Sequence, residues 1–141
     1  MLLSSPSEIR ALLESIHSIA VLGIKTEAQA SEPAYYVPAY AKNAGYEVIP
    51  VPVYYPEVTE IMNQPVFRSI AAIGRRVDLV DVFRKPSALM AHADDLLAAK
   101  PRAVWLQSGI THDELAARLS EAGIDVVQDR CLMVELRAIG R

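Results

Sequence analysis

Five stretches of the chain are short, apolar and rich in β-branched residues: Ile19–Gly23 (IAVLG), Tyr46–Val53 (YEVIPVPV), Val77–Phe83 (VDLVDVF), Ala103–Gln107 (AVWLQ) and Ile124–Gln128 (IDVVQ). Apolar runs with few polar interruptions are the pattern of strands covered on both faces. Pro50 brings no N–H to a ladder, so pairing of the second strand is expected to stop near it. Between the strands lie segments with a helical period. Residues 33–43 open on Pro33 and close at Gly45, with Pro38 expected to bend the helix. Residues 87–99 follow Pro86 and stop before Pro101. Thr111 and Glu114 have the spacing of a capping box for a helix that Gly123 closes. An opening helix near 7–16, capped at Ser5 or Pro6, and a last one over 132–139 complete the set.

Strands that alternate with helices imply right-handed crossovers and a parallel sheet. The expected fold is α/β: a Rossmann-like, doubly wound, mainly parallel five-stranded sheet of order 3-2-1-4-5 with helices on both faces. A chain of 141 residues suits one hydrophobic core, so residues 1–141 are expected to form a single domain. Ligands of such sheets bind outside the carboxyl ends of the strands, where the strand order reverses. The residues just after each strand are therefore the candidates.

After the first strand comes Gly23-Ile24-Lys25, leading to the helix that starts at Pro33. A glycine there allows close backbone approach, and a helix N-terminus offers N–H groups to a phosphate, with Lys25 adding a charge. The loop is either such a site or a plain strand-to-helix turn. It has one glycine where the dinucleotide fingerprint needs three in register, which disfavours ordinary NAD binding. The second strand ends in Val51-Pro52-Val53-Tyr54-Tyr55-Pro56, without the acidic residue that a ribose hydroxyl takes. Its prolines fix an apolar wall with two tyrosines, suited to a flat adenine face or a pantetheine arm, or simply a stiff surface loop with stacked tyrosines.

The third strand ends in Val82-Phe83-Arg84-Lys85, two cations beside a helix start. Cations conflict with the helix dipole there, and a bound anion relieves the conflict; pairing with Asp78 or Asp81 is the other reading. The fourth ends in Gln107-Ser108-Gly109, an amide, a hydroxyl and a glycine able to bond a ligand's amides. Cys131 is either core filler or a thiol whose pKa Arg130 lowers. His112 falls in a helix cap and faces solvent on this reading; His17 and His92 lack metal-ligand spacing. No nucleophile elbow, P-loop, H-E-x-x-H or paired-carboxylate motif is present, so no catalytic residue and no metal site is assigned.

Hydrophobic residues make up 52% and charged residues 22%, the balance of a packed globular protein. A net charge of −3 gives no global attraction to nucleic acid or anionic membrane. The N-terminus has no basic region or cleavage-like site, and the apolar runs are far shorter than the ~20 residues of a membrane span. A cytoplasmic protein is expected, and the single cysteine fits a reducing compartment.

The stretches IAVLG followed by SEPAYYV, GYEVIPV, QPVFRSI, VDLVDVFR, VWLQSGI and AGIDVVQDRC occur here in one order and spacing. In these the chain resembles the small CoA-binding proteins similar to the N-terminal domain of the succinyl-CoA synthetase α-subunit, over roughly 16–140. The resemblance implies coenzyme A across the carboxyl edge of the sheet. Its phosphates would lie by Gly23, Lys25 and the helix from Pro33, its adenine and ribose by Val51, Pro52, Val82, Phe83 and Arg84, with Ile24 and Lys85 also counted among the cofactor-binding residues. Its pantetheine would lie near Gln107, Ser108 and Gly109. The chain departs from the family pattern at Ile24 and Lys25, where a small residue and Ser are common, at Glu32, commonly Arg, and at Val51-Pro52-Val53, usually V-N-P. The resemblance implies a stand-alone carrier or sensor of CoA or an acyl-CoA, without activity by itself. The alternatives are an NAD(P)-dependent oxidoreductase and a CoA-binding subunit of a multi-chain acyl-CoA synthetase. The partners left open are a second copy of the chain and a synthetase-like chain.

Overall fold

A computed structural model describes residues 1–141. Helix α1 (Pro6–Ser15) begins at a complete cap: the Ser5 hydroxyl accepts from the Glu8 N–H, and the Glu8 carboxylate accepts from the Ser5 N–H. Strand β1 (Ser18–Leu22) is buried throughout and leads to α2 (Pro33–Asn43) and β2 (Glu47–Val51). A small hairpin follows, β3 (Glu60–Ile61) and β4 (Gln64–Pro65). The rest alternates as the apolar pattern requires: β5 (Leu79–Val82), α3 (Ala93–Ala99), β6 (Ala103–Leu106), α4 (Asp113–Glu121), β7 (Asp125–Val127) and α5 (Leu132–Ala138).

The five long strands form one parallel sheet of order β2-β1-β5-β6-β7. In chain numbering of those five strands this is 2-1-3-4-5, not the expected 3-2-1-4-5. The outer edge of β2 explains the difference. Pro50 brings no donor to it, the Phe67 N–H bonds to the Pro50 carbonyl, and the hairpin lies against the strand. The third strand therefore crosses to the free side of β1. Pairing of β2 with β1 does end near Pro50, as expected, one residue beyond it. It runs through Val21↔Pro50 and Leu22↔Val51, since the missing donor belongs to the edge away from β1.

Alternate strand residues reach opposite faces. Ile19, Val21, Leu79 and Trp105 pack with Leu13 of α1, Val37 of α2 and Leu136 of α5. Ala20, Leu22, Val80 and Leu106 pack with Leu96 of α3 and Leu115 of α4. Asp81, by the same alternation, belongs to the α1–α2–α5 face. It is fully buried, neither carboxylate oxygen has a partner, and burial pushes its pKa well above the ordinary range.

Two helix expectations need correction. Over 87–99 the chain first makes two 3₁₀ turns, Pro86–Ala88 and Met90–His92, and becomes α-helical only at Ala93. These three-residue steps bury Leu89 completely and bring His92 to the end of β5. The cap of α4 is His112 rather than Thr111. The Gln128 side chain holds the His112 N–H, and His112 Nδ1 accepts from the Leu115 N–H, so the imidazole is half-buried.

Candidate functional site

The strand order reverses between β1 and β5, and their ends are level: Leu22 pairs with both Val51 and Val82, and Val82 with Leu106. The residues that follow therefore open on one edge of the sheet. Gly23 has a φ of 87°, and a Cβ there would run into the Phe83 carbonyl. Only glycine lets the ends of β1 and β5 approach this closely.

Beside this point lies a cleft of ≈ 510 Å³, within the range of small-molecule sites. The β1–α2 segment contributes Lys25, Glu32, Pro33, Ala34, Tyr36 and Val37. The end of β5 contributes Phe83, Arg84 and Lys85; the end of β6 contributes Gln107, Ser108 and Ile110; Cys131, just before α5, closes the far side. Seven of the sequence candidates thus share one cleft: Lys25, Pro33, Phe83, Arg84, Lys85, Gln107 and Ser108. The others lie outside its lining. Ile24, Val51 and Val82 are core side chains, Pro52 is buried, Gly23 shapes the crevice by its backbone, and the Gly109 N–H is bonded to Asp129.

Helix α2 positions the first wall through an irregularity. Pro38 has no N–H to give the Ala34 carbonyl, and that carbonyl accepts from the Lys25 N–H instead, at 3.2 Å. The proline that breaks the helical ladder thereby anchors the loop from β1. The Lys25 ammonium meets Glu32 at 2.5 Å, and this hydrogen bond raises the lysine's pKa. The pair is partly exposed and adds little stability, but it means that Lys25 arrives with its charge already answered.

Arg84 and Lys85 have no carboxylate within ion-pair distance. Arg84 pairs with neither candidate acid, because Asp78 lies at the opposite end of β5 and Asp81 is sealed in the core. Its guanidinium donates instead to His92 Nε2 at 3.2 Å and to the Tyr54 hydroxyl at 3.3 Å, with its carbon 5.5 Å from the Tyr54 ring centre. That bond draws the Tyr54 pKa down. Arg68 fixes the loop bearing Tyr54 by donating to the carbonyls of Tyr54, Tyr55 and Val58. With three cations and one carboxylate, the lining carries two net positive charges.

On the far side, Gln107 Oε1 accepts from the Leu132 N–H at 3.0 Å, while its amide nitrogen has no partner within the chain. Arg130 is committed to Glu135 and the Ser4 carbonyl, leaving the half-buried Cys131 thiol without it. Tyr54 falls in the stretch that reads as an apolar wall, but Arg68 and His92 were not legible as parts of this site. They carry no local signal of their own and are recruited by side-chain bonds to Tyr54, Tyr55, Val58 and Arg84.

The family model for the CoA binding domain matches residues 17–137. The chain belongs to this CoA-binding family. Among its relatives is the uncharacterized protein YneT of Bacillus subtilis, 30% identical over 130 residues, which cover 92% of this chain and 93% of YneT. A solved structure from Thermus thermophilus, cell-free ID.343, is 45% identical, with a TM-score of 0.87 over 96% of this chain and 99% of that one. The dinucleotide-forming acetyl-coenzyme A synthetase 1 of Ca. Korarchaeum cryptofilum, solved with phosphate and ADP, shares the fold. It is 18% identical, with a TM-score of 0.66 over 77% of this chain and 25% of the synthetase. YneT thus matches this chain over nearly the whole length of both, and the fold recurs as one part of a much larger enzyme. No helix of the protein is long and apolar enough to cross a membrane.

Proposed function

We propose that this protein binds coenzyme A or an acyl-CoA in the cleft at the carboxyl edge of the sheet, as a stand-alone carrier or sensor. The observation that carries the reading is the unpaired Arg84–Lys85 step at the strand-order reversal of a CoA-binding family member. The chemistry of the lining suits the ligand. Phosphates find Arg84, Lys85 and the start of α2, whose Ala34 N–H has no partner within the chain. A base finds the Phe83 side chain in the lining, next to Arg84, over which the Tyr54 ring lies. A pantetheine arm finds Val37, Ile110 and the free amide nitrogen of Gln107.

Thermal denaturation with CoA, dephospho-CoA, NAD and NADP tests this. A ligand that binds only the folded state at a hundred times its Kd stabilises by about 2.7 kcal/mol. CoA is expected to raise the midpoint, and dephospho-CoA to raise it less. A shift with NADP and none with CoA overturns the proposal in favour of the oxidoreductase reading.

A further inference from the structure

The Arg84–His92 bond has a direction. An imidazole nitrogen that accepts from a guanidinium N–H holds a lone pair, so Nε2 is unprotonated and the ring proton of neutral His92 sits on Nδ1. Two charged groups act on this imidazole. Arg84 faces it from the end of β5, and Asp95 lies on α3 with its oxygens bonded to the Ile70 and Ala71 N–H groups. His92 is half-buried, and the Tyr54 ring lies against Arg84 without bonding to the imidazole. Protonation of His92 in the free protein would break the bond and set two cations side by side. A phosphate arriving at Arg84 reverses this, because it offsets the guanidinium charge and offers an anion to the imidazolium.

We infer that His92 is a positioning residue for Arg84, and that a phosphorylated ligand is bound at this step with uptake of a proton by its imidazole. The inference rests on the anion-binding reading of the cleft. In the free protein, burial and then the Arg84 charge hold the His92 pKa below its ordinary value. A group whose pKa rises on binding strengthens binding as pH falls through the window between its free and bound values, by up to about tenfold for each pH unit that the window spans. The ligand's own phosphate titrates in the opposite sense, so a non-titrating variant must serve as the reference.

The first test follows the His92 imidazole by NMR in the unliganded protein. Its midpoint is expected below the ordinary value and is expected to move up in Arg84→Met; an unmoved midpoint overturns the inference whatever CoA does. The second adds inorganic pyrophosphate or CoA, each expected to raise the midpoint. If neither moves it, the inference fails. If pyrophosphate moves it and CoA does not bind, the CoA reading fails and the inference stands. The third measures CoA binding calorimetrically at pH 6 and pH 8 in two buffers of different ionisation heat. His92→Phe is expected to bind more weakly at both pH values. His92→Gln, whose amide oxygen can still accept from Arg84, is expected to recover part of that loss. Relative to either variant, the wild type is expected to take up additional protons on binding. Equal uptake and parallel pH profiles in wild type and His92→Gln overturn the inference.

Discussion

The two edges of the sheet treat their polar groups in opposite ways, and β5 belongs to both. At its amino end Asp78 accepts from the N–H groups of His17 and Ser18 at 2.7 and 3.1 Å, and its own N–H donates to the Ser18 hydroxyl. Arg102 joins this group and also bonds to Ser15. At the carboxyl end, Arg84 rests on a phenol and an imidazole, and Lys85 on nothing charged. The amino edge uses its charges to tie α1 and β1 to β5. The carboxyl edge leaves charge free to meet a ligand. Apart from Asp81, whose carboxyl is sealed in the core, the buried side-chain polar groups have partners, and the cations at the carboxyl edge without a carboxylate mark the site.

The largest way to break the comparison is Gly23→Ala, which puts a Cβ against the Phe83 carbonyl at a φ that side chains rarely adopt. A loss of about 3 kcal/mol in chemical denaturation is expected, with the cleft lost as well. Asp78→Ala attacks the closed edge and leaves two N–H groups without their acceptor, for a loss of about 2 kcal/mol. Burial alone would raise the Asp78 pKa, but the His17 and Ser18 bonds outweigh it and hold it below 3.8. Its contribution is thus complete above that value and disappears as pH falls through the lowered one. Wild type and Asp78→Ala are therefore expected to converge in acid.

Asp81→Val tests the middle of the same strand with the opposite sign. Replacing an unpartnered buried carboxyl by an apolar side chain of similar size is expected to stabilise by about 1–2 kcal/mol at pH 7. The folded pKa lies above the unfolded 3.8, so the wild type weakens as pH rises between the two. The gain in Asp81→Val is accordingly smallest in acid and grows with pH. Lys85→Ala sharpens the open edge: the exposed side chain has no partner, so stability stays within about 0.5 kcal/mol while CoA binding weakens severalfold.

The strands and the residues at their ends were legible because burial on both faces writes itself as a local apolar run. Phe83, Arg84, Lys85 and Gln107 follow directly from that reading and the position of strand ends. The order of the strands was not, since the side of β1 that receives β5 depends on what occupies the outer edge of β2, far away in sequence. The Thr111–Glu114 box misled for a similar reason. Gln128 holds His112 in the capping conformation, and no local pattern records that bond. Pro38 was visible as a breaker but not as the residue whose missing donor frees a carbonyl for Lys25. His92 becomes a site residue only through Arg84.

The hairpin and Phe67 against β2 have a counterpart across the molecule. Leu2 bridges to Val126 in parallel, with the Leu3 N–H bonded to the Val126 carbonyl and the Val126 N–H to the Met1 carbonyl. Both outer strands are thus denied as templates for a foreign strand, one by prolines and a borrowed N–H, the other by the chain's own first residues. Displacing residues 1–3 from Val126 would leave the outer edge of β7 open to pairing with a foreign strand.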